Sequence, residues 1–248
     1  MRRAITGLVC LALCSSARPE PVRVAVAANF APALKALAPD FEKSTGHKLL
    51  LSAGATGKLY AQIRSGAPFA VFLSADSETA ARLEQEGLGV GGSRFTYAVG
   101  KLVLWSANAD LVDPLGQVLA NGNFRKLALA SPALTPYGAA ARQTLTQLGL
   151  LGALTPRLVQ GESIGQAYSF VATGNAELGF VALSQVFENG SIGRGSAWIV
   201  PGNLYKPLRQ DAVLLAGGRD LAGAKALLAF LQTGQSRAAL RSFGYETP

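Results

Sequence analysis

The chain has 248 residues, 49% of them hydrophobic and only 15% charged, which excludes a disordered polypeptide and allows either one large domain or two smaller lobes with ample core. Its formal charge of +8 falls to about +6 without Arg2 and Arg3. The basic residues are scattered rather than clustered with aromatics, so no nucleic-acid partner is expected, while a general positive field can gather anions.

Arg2 and Arg3 precede the apolar run Ala4 to Cys14, and Ser15-Ser16-Ala17 supplies the small residues of a cleavage site. This reads as a secretory signal over residues 1–17, too short for a stable membrane span. Both cysteines, Cys10 and Cys14, fall inside it, so the mature chain would have neither disulfide nor thiol chemistry. Neither cysteine follows a small residue, which argues against a lipid anchor.

The first folded stretch, Val22 to Phe30, reads as a buried strand that runs into a helix. Asn29 is expected to cap that helix, Pro32 fits its first turn, and Phe30, Leu34, Leu37 and Phe41 recur at helical spacing up to a stop at Gly46. A strand follows at His47–Ser52, then a tight turn at Gly54–Gly57 and a helix bearing Leu59 and Ile63. Pro68–Ser74 reads as a third strand and Asp76 as the cap of a third helix. This alternating order predicts a mainly parallel sheet flanked by helices.

After Gly91-Gly92 the rhythm changes. Tyr97–Trp105 is apolar and long enough to cross between two lobes. A second α/β pattern then runs through strands at Leu127–Ala130, Leu158-Val159 and Leu178–Ala182, with helices at Ala139–Leu148 and Ile164–Thr173. Ala212–Leu215 is the candidate return crossing, and helices at Asp220–Gln232 and Ser236–Phe243 close the chain. Two α/β lobes follow, the first made of residues 22–99 and 208–248 and the second of 100–207, with the two crossing segments as a hinge. A hinged pair of lobes takes its ligand in the cleft between them.

Catalytic equipment is sparse. His47 is the only histidine, and it stands on a helix-to-strand turn. Without mature cysteines or a nucleophile–base pair, acyl-transfer chemistry is not expected, and zinc, calcium and P-loop motifs are absent. The chain instead carries four strand-to-helix turns rich in small or hydroxyl residues: Ala28-Asn29, Ala55-Thr56-Gly57, Thr135-Pro136-Tyr137-Gly138 and Glu162-Ser163-Ile164. Helix N-termini present free N–H groups and a positive dipole end, and four of them facing one cleft would hold an oxyanion without a charged side chain. Each turn taken singly is a plain helix cap; their convergence is what the sequence leaves to be tested.

Several longer stretches together resemble the periplasmic molybdate-binding proteins of ABC transporters over nearly the whole mature chain. They are Val24–Phe30, Ser52–Ile63, Gly66–Asp76, Gly179–Gln185 and Pro207–Val213. The resemblance implies the two-lobed periplasmic binding protein fold and a non-enzymatic carrier that closes on molybdate or tungstate. It also implies no cofactor, delivery to an inner-membrane ABC permease, and a monomer. By position it assigns oxyanion contacts to Asn29, Thr56, Tyr137 and Ile164, with Ala28 and Ala182 beside them. Ala182 stands where some relatives carry a tyrosine whose hydroxyl reaches the anion, so Tyr137 is the candidate replacement donor. The remaining alternatives are a carrier for another tetrahedral oxyanion such as sulfate or phosphate, a ferric carrier, an exported enzyme acting on an anion, and a sensory ligand-binding domain.

Overall fold

The computed structural model describes residues 21–188 and 190–248; the signal-peptide reading of residues 1–17 lies outside them. In chain order the first half runs β1 (Val22–Ala27), α1 (Ala31–Thr45), β2 (Leu49–Gly54), α2 (Thr56–Arg64), β3 (Val71–Leu73), α3 (Ser77–Gln85) and β4 (Phe95–Gly100). It continues through β5 (Leu102–Ser106), α4 (Val118–Asn121), β6 (Leu127–Ala130), α5 (Pro136–Gln147), α6 (Leu151–Leu154), β7 (Leu158–Gly161), α7 (Ile164–Ala172) and β8 (Leu178–Ala182). A small hairpin of β9 (Phe187–Glu188) and β10 (Ser191–Ile192) leads to β11 (Ser196–Ile199), β12 (Leu208–Leu214), α8 (Ala222–Leu231) and α9 (Gly234–Ser242).

These strands form two five-stranded sheets, ordered β2-β1-β3-β12-β4 and β11-β5-β8-β6-β7. Both are mainly parallel, as expected, with one reversed strand each, β12 in the first sheet and β5 in the second. The βαβ units pair in parallel, β1 with β2 and β3, and β6 with β7 and β8. The strands that arrive from the other lobe pair antiparallel, β12 with β3 and β4, and β5 with β8 and β11. A right-handed helical crossover fixes direction only within a βαβ unit, and a strand entering from another lobe is free of it.

Alternation along β1 explains how the first sheet is covered. Val22, Val24 and Val26 meet Phe30, Leu34, Leu37 and Phe41 of the α1 segment, together with Leu227, Leu231 and Leu240 of α8 and α9. Ala25 points to the other face, where Leu59, Ile63 and Leu83 of α2 and α3 pack on Phe72 and Val213. Each fully buried large side chain of this kind contributes about 1.5–3 kcal/mol relative to exposure. α1 stops where Gly46 adopts φ 75°, a left-handed conformation that glycine enters without steric cost. In the second sheet Leu102, Leu104, Leu127, Leu129 and Phe180 share one core, while Val103, Trp105, Ala128 and Val181 share the other.

The predicted long strand Tyr97–Trp105 is broken at Lys101: β4 ends in the first sheet and β5 begins in the second. The return passage lies between β11 and β12, earlier than Ala212–Leu215, because β12 already belongs to the first sheet and pairs Leu208 with Gly100. The two crossings therefore run side by side. The C-terminal segment seals them through paired hydrogen bonds between Val99 and Glu246 at 2.7 and 3.0 Å. On β12 the buried Asp211 carboxylate accepts from Arg94 at 2.6 Å, Thr96 at 2.7 Å and Ser77 at 3.1 Å, which ties β12 to β4 and to the start of α3.

Candidate functional site

The N-termini of α2, α5 and α7 and the turn after β1 meet between the two sheets. Ala27, Ala28 and Asn29, then Gly54, Ala55 and Thr56, line one wall of a small cavity, and Thr135, Pro136, Tyr137 and Ile164 line the other, with Ala75 alongside. The cavity volume of about 10 Å³ is room for about one water molecule, so a tetrahedral oxyanion fits only when the walls part. A cleft of about 550 Å³ adjoins it, sharing Thr56, Thr135 and Pro136. No charged side chain lines the smaller cavity.

Local chemistry explains each wall. Thr135 caps α5 by accepting from Gly138 N–H at 2.9 Å, and Ser163 caps α7 by accepting from Gln166 N–H at 3.2 Å. Asp76 caps α3 as the sequence predicts, accepting from Thr79 N–H at 2.7 Å. The expected turn at Gly54–Gly57 is instead the end of β2 followed directly by α2, with Ala55 at the cap position. Caps on the later N–H groups leave the first ones free. No protein acceptor meets the N–H of Asn29, Thr56, Tyr137 or Ile164 among the described residues. Thr56 Oγ1 accepts from Ala75 N–H at 3.4 Å, which leaves its own proton to donate. Ala28 lines the cavity, but its N–H is spent on the Gly54 carbonyl at 2.9 Å.

Asn29 corrects the cap expectation. Phe30 occupies the cap position of α1, with no side-chain cap bond, and Asn29 turns inward instead. Its Nδ2 donates to Gln210 Oε1 at 2.9 Å and to the Tyr245 hydroxyl at 3.2 Å. Its carbonyl accepts from the Tyr245 hydroxyl at 2.9 Å and from Ser184 Oγ at 3.2 Å. Gln210 reaches onward to the hydroxyls of Tyr97 at 3.1 Å and Tyr137 at 3.2 Å. The sequence reading missed Gln210, Tyr245, Ser184 and Tyr97 as site residues; the one local sign was the polar run Arg209-Gln210-Asp211 inside a strand otherwise apolar.

Ala182 is the one predicted site residue that the structure does not bring to the cavity. It ends β8 within the core of the second lobe, and its N–H donates to Gln185 Oε1 at 2.9 Å. The Tyr137 hydroxyl, the expected replacement donor, accepts from Gln210 and lies against Gly100 at the hinge, so the cavity is offered the Tyr137 main chain. His47 is half-buried on the turn before β2 and stands apart from the cavity.

The two walls touch directly. Gly57 N–H donates to the Leu134 carbonyl at 2.9 Å, and the Lys58 ammonium pairs with Glu162 at 2.6 Å. The ion pair is exposed on both sides and contributes little, while the main-chain bond fixes how closely α2 approaches the loop before α5.

The hydroxyl net stays neutral. Burial pushes Tyr97 and Tyr137 well above the usual phenol range and Tyr245 up to about 12. Unfolded tyrosines release their protons near the ordinary value of 10.0, whereas folded Tyr245 holds its proton to about 12. Stability from these residues is therefore complete below pH ~10 and lost as pH rises from there toward 12. Urea midpoints at pH 9 and pH 11 are expected to fall with rising pH, and Tyr245→Phe should reduce the fall; equal midpoints would mean the phenols are not held neutral.

The bacterial extracellular solute-binding protein family matches residues 22–246. The molybdate-binding protein ModA of Azotobacter vinelandii is 52% identical over 245 residues, covering 99% of this chain and 97% of that protein. ModA of Rhodobacter capsulatus is 48% identical over 248 residues, covering 100% and 97%. The solved structure of the A. vinelandii periplasmic molybdate-binding protein superposes with a TM-score of 0.89 at 44% identity, covering 92% of this chain and 99% of that one. The two sheets and their paired crossings thus match that fold, and the chain belongs to the bacterial extracellular solute-binding protein family.

Proposed function

We propose that the protein captures molybdate, or the isostructural tungstate, in the cavity between its lobes and delivers it to the permease of an ABC transporter. The observation that carries this reading is the set of four main-chain N–H groups, from Asn29, Thr56, Tyr137 and Ile164, without acceptors among the described residues around one small cavity between the sheets. The Thr56 hydroxyl adds a fifth donor, and Ala28 shapes the wall. Helix dipoles reinforce three of these groups, so a dianion is held without a cationic side chain. The names of the two relatives above, both molybdate-binding proteins at about half identity, support the choice of ion.

In this reading residues 22–99 and 208–248 form the first lobe and 100–207 the second. The anion meets Asn29 and Thr56 first, and closure adds Tyr137 and Ile164. The protein works in the periplasm as a monomer, carries no cofactor and catalyses no reaction.

Titration calorimetry with molybdate, tungstate and sulfate tests this. Molybdate at a thousandfold excess over its dissociation constant should stabilise the fold by about 4 kcal/mol and raise the Tm, while sulfate at equal concentration should not. Heat from sulfate alone would make the protein a carrier for the smaller oxyanion, and heat from none of the three would end the reading.

A further inference from the structure

The two arms of the Asn29 amide are unequally served. The residue is 1% exposed and lines the cavity. Its Nδ2 is turned to Gln210 and Tyr245, while its Oδ1 is buried and meets no donor among the described residues. A buried acceptor without a partner is costly, and beside an oxyanion it is repulsive as well. Gln210 is the residue that holds Asn29 this way. It is fully buried on β12, its Oε1 accepting from Asn29 Nδ2 and the Tyr97 hydroxyl and its Nε2 donating to the Tyr137 oxygen.

An amide presents oxygen and nitrogen in nearly the same shape, so a half turn exchanges donor for acceptor without disturbing the packing. Asn29 cannot turn alone, because its Oδ1 would then face Gln210 Oε1. If both turn, Gln210 Nε2 donates to Asn29 Oδ1 and to the Tyr97 oxygen, and Gln210 Oε1 accepts the Tyr137 proton. Tyr97 keeps the Ser74 carbonyl, 3.1 Å away, as its own acceptor. Tyr245, whose oxygen had accepted from Asn29 Nδ2, swings its proton from the Asn29 carbonyl to Asn29 Oδ1, the Ser184 hydroxyl keeps that carbonyl satisfied, and Asn29 Nδ2 stands where the orphaned oxygen stood.

We infer that Gln210 is a positioning residue for the anion: a paired turn of the Gln210 and Asn29 amides converts Asn29 from an acceptor into a donor when the anion enters. Tyr137 belongs to the second lobe, so the same turn links occupancy to lobe contact. The turned pair serves a bare oxygen, and the unturned pair serves a protonated one. This inference rests on the oxyanion reading above and adds a residue to it.

Side-chain amide NMR of the whole ¹⁵N-labelled protein tests it without any variant. Adding molybdate should shift the NH₂ signals of both Asn29 and Gln210, with one Asn29 proton protected from exchange. Two variants supply the affinity readout. Gln210→Glu offers only acceptors and locks Asn29 Nδ2 away from the cavity, so affinity should fall roughly a hundredfold or more. Gln210→Met frees Asn29 to turn and should cost only about tenfold. Glu also buries a negative charge near the anion, so the separating variant is Met: a merely structural role predicts a large loss of unliganded stability and of affinity together, because Met keeps none of the bonds to Tyr97, Tyr137 and Asn29. Tight calorimetric binding with both amide signals unmoved, or Met weaker than Glu, overturns the inference alone. Absence of heat with molybdate and tungstate overturns the oxyanion reading beneath it.

Discussion

Asn29→Asp will abolish molybdate capture at neutral pH, with affinity falling roughly a thousandfold or more. The substitution keeps the shape of the side chain and exchanges one NH₂ for an oxygen. Only if Gln210 turns its Nε2 inward and Tyr245 redirects its proton can the buried net serve one carboxylate oxygen, since both now accept from Asn29 Nδ2. The other oxygen is left beside a cavity that no cation lines. A dianion brought there meets an uncompensated negative charge in a site with little water to screen it. Asn29→Ala removes the donor without adding charge and should cost only about tenfold. The contrast between the two variants, measured by calorimetry, is the informative quantity. Equal, small losses would remove the Asn29 side chain from the site and leave only its main-chain N–H there. Thermal unfolding without ligand separates a damaged fold from a damaged site.

Uncharged donors also explain why so little of this site announces itself in composition. An Arg or Lys clamp leaves a charged residue at a recognisable place, whereas an N–H leaves none. The parts that could be read were those set by neighbours in sequence. Alternation of Val22, Val24 and Val26 and the helical spacing of Phe30, Leu34, Leu37 and Phe41 give β1 and α1, because each pattern is local. Thr135 and Ser163 give the starts of α5 and α7 for the same reason, and with them Tyr137 and Ile164 at the cavity. The parts that could not be read depend on distant partners. Asn29 satisfies every local rule for a cap, yet its amide bonds to Gln210 and Tyr245, 181 and 216 residues away. A tertiary partner outcompeted the local one. Strand direction is hidden in the same way, since the apolar pattern of β12 is unchanged whether it pairs parallel or antiparallel with β3. The break at Lys101 is one residue in a continuous apolar run, visible only once the two halves are assigned to different sheets.

Gly100→Ala is expected to weaken molybdate binding by roughly a hundredfold while leaving the unliganded fold nearly as stable as before. Gly100 ends β4 at the first crossing, opposite Leu208 of the second. A Cβ there would overlap the Tyr137 hydroxyl, and it would lie 2.7 Å from Gln210 Nε2 and 3.1 Å from the Tyr137 ring. Tyr137 is carried by α5 of the other lobe and is 1% exposed, so its ring has no free space into which to swing. The Gln210 amide end, in the same lobe, must also give way by a few tenths of an ångström, but the Tyr137 overlap is relieved only when α5 stands away from β4. The substitution penalises the closed arrangement and spares the open one. Apparent affinity scales with the fraction of molecules able to close, so a penalty of about 2.7 kcal/mol on closure appears as a hundredfold loss. Tyr137→Phe removes the overlapping oxygen and should return part of that loss in the double variant, giving a coupling between two residues in different lobes. Small-angle scattering supplies the independent readout, since molybdate should compact the wild-type protein and fail to compact Gly100→Ala. If the alanine variant bound molybdate as tightly as the wild type, the approach of Tyr137 to the hinge would not be what closure requires, and the contact between Gly57 and Leu134 would be left as the one that sets it.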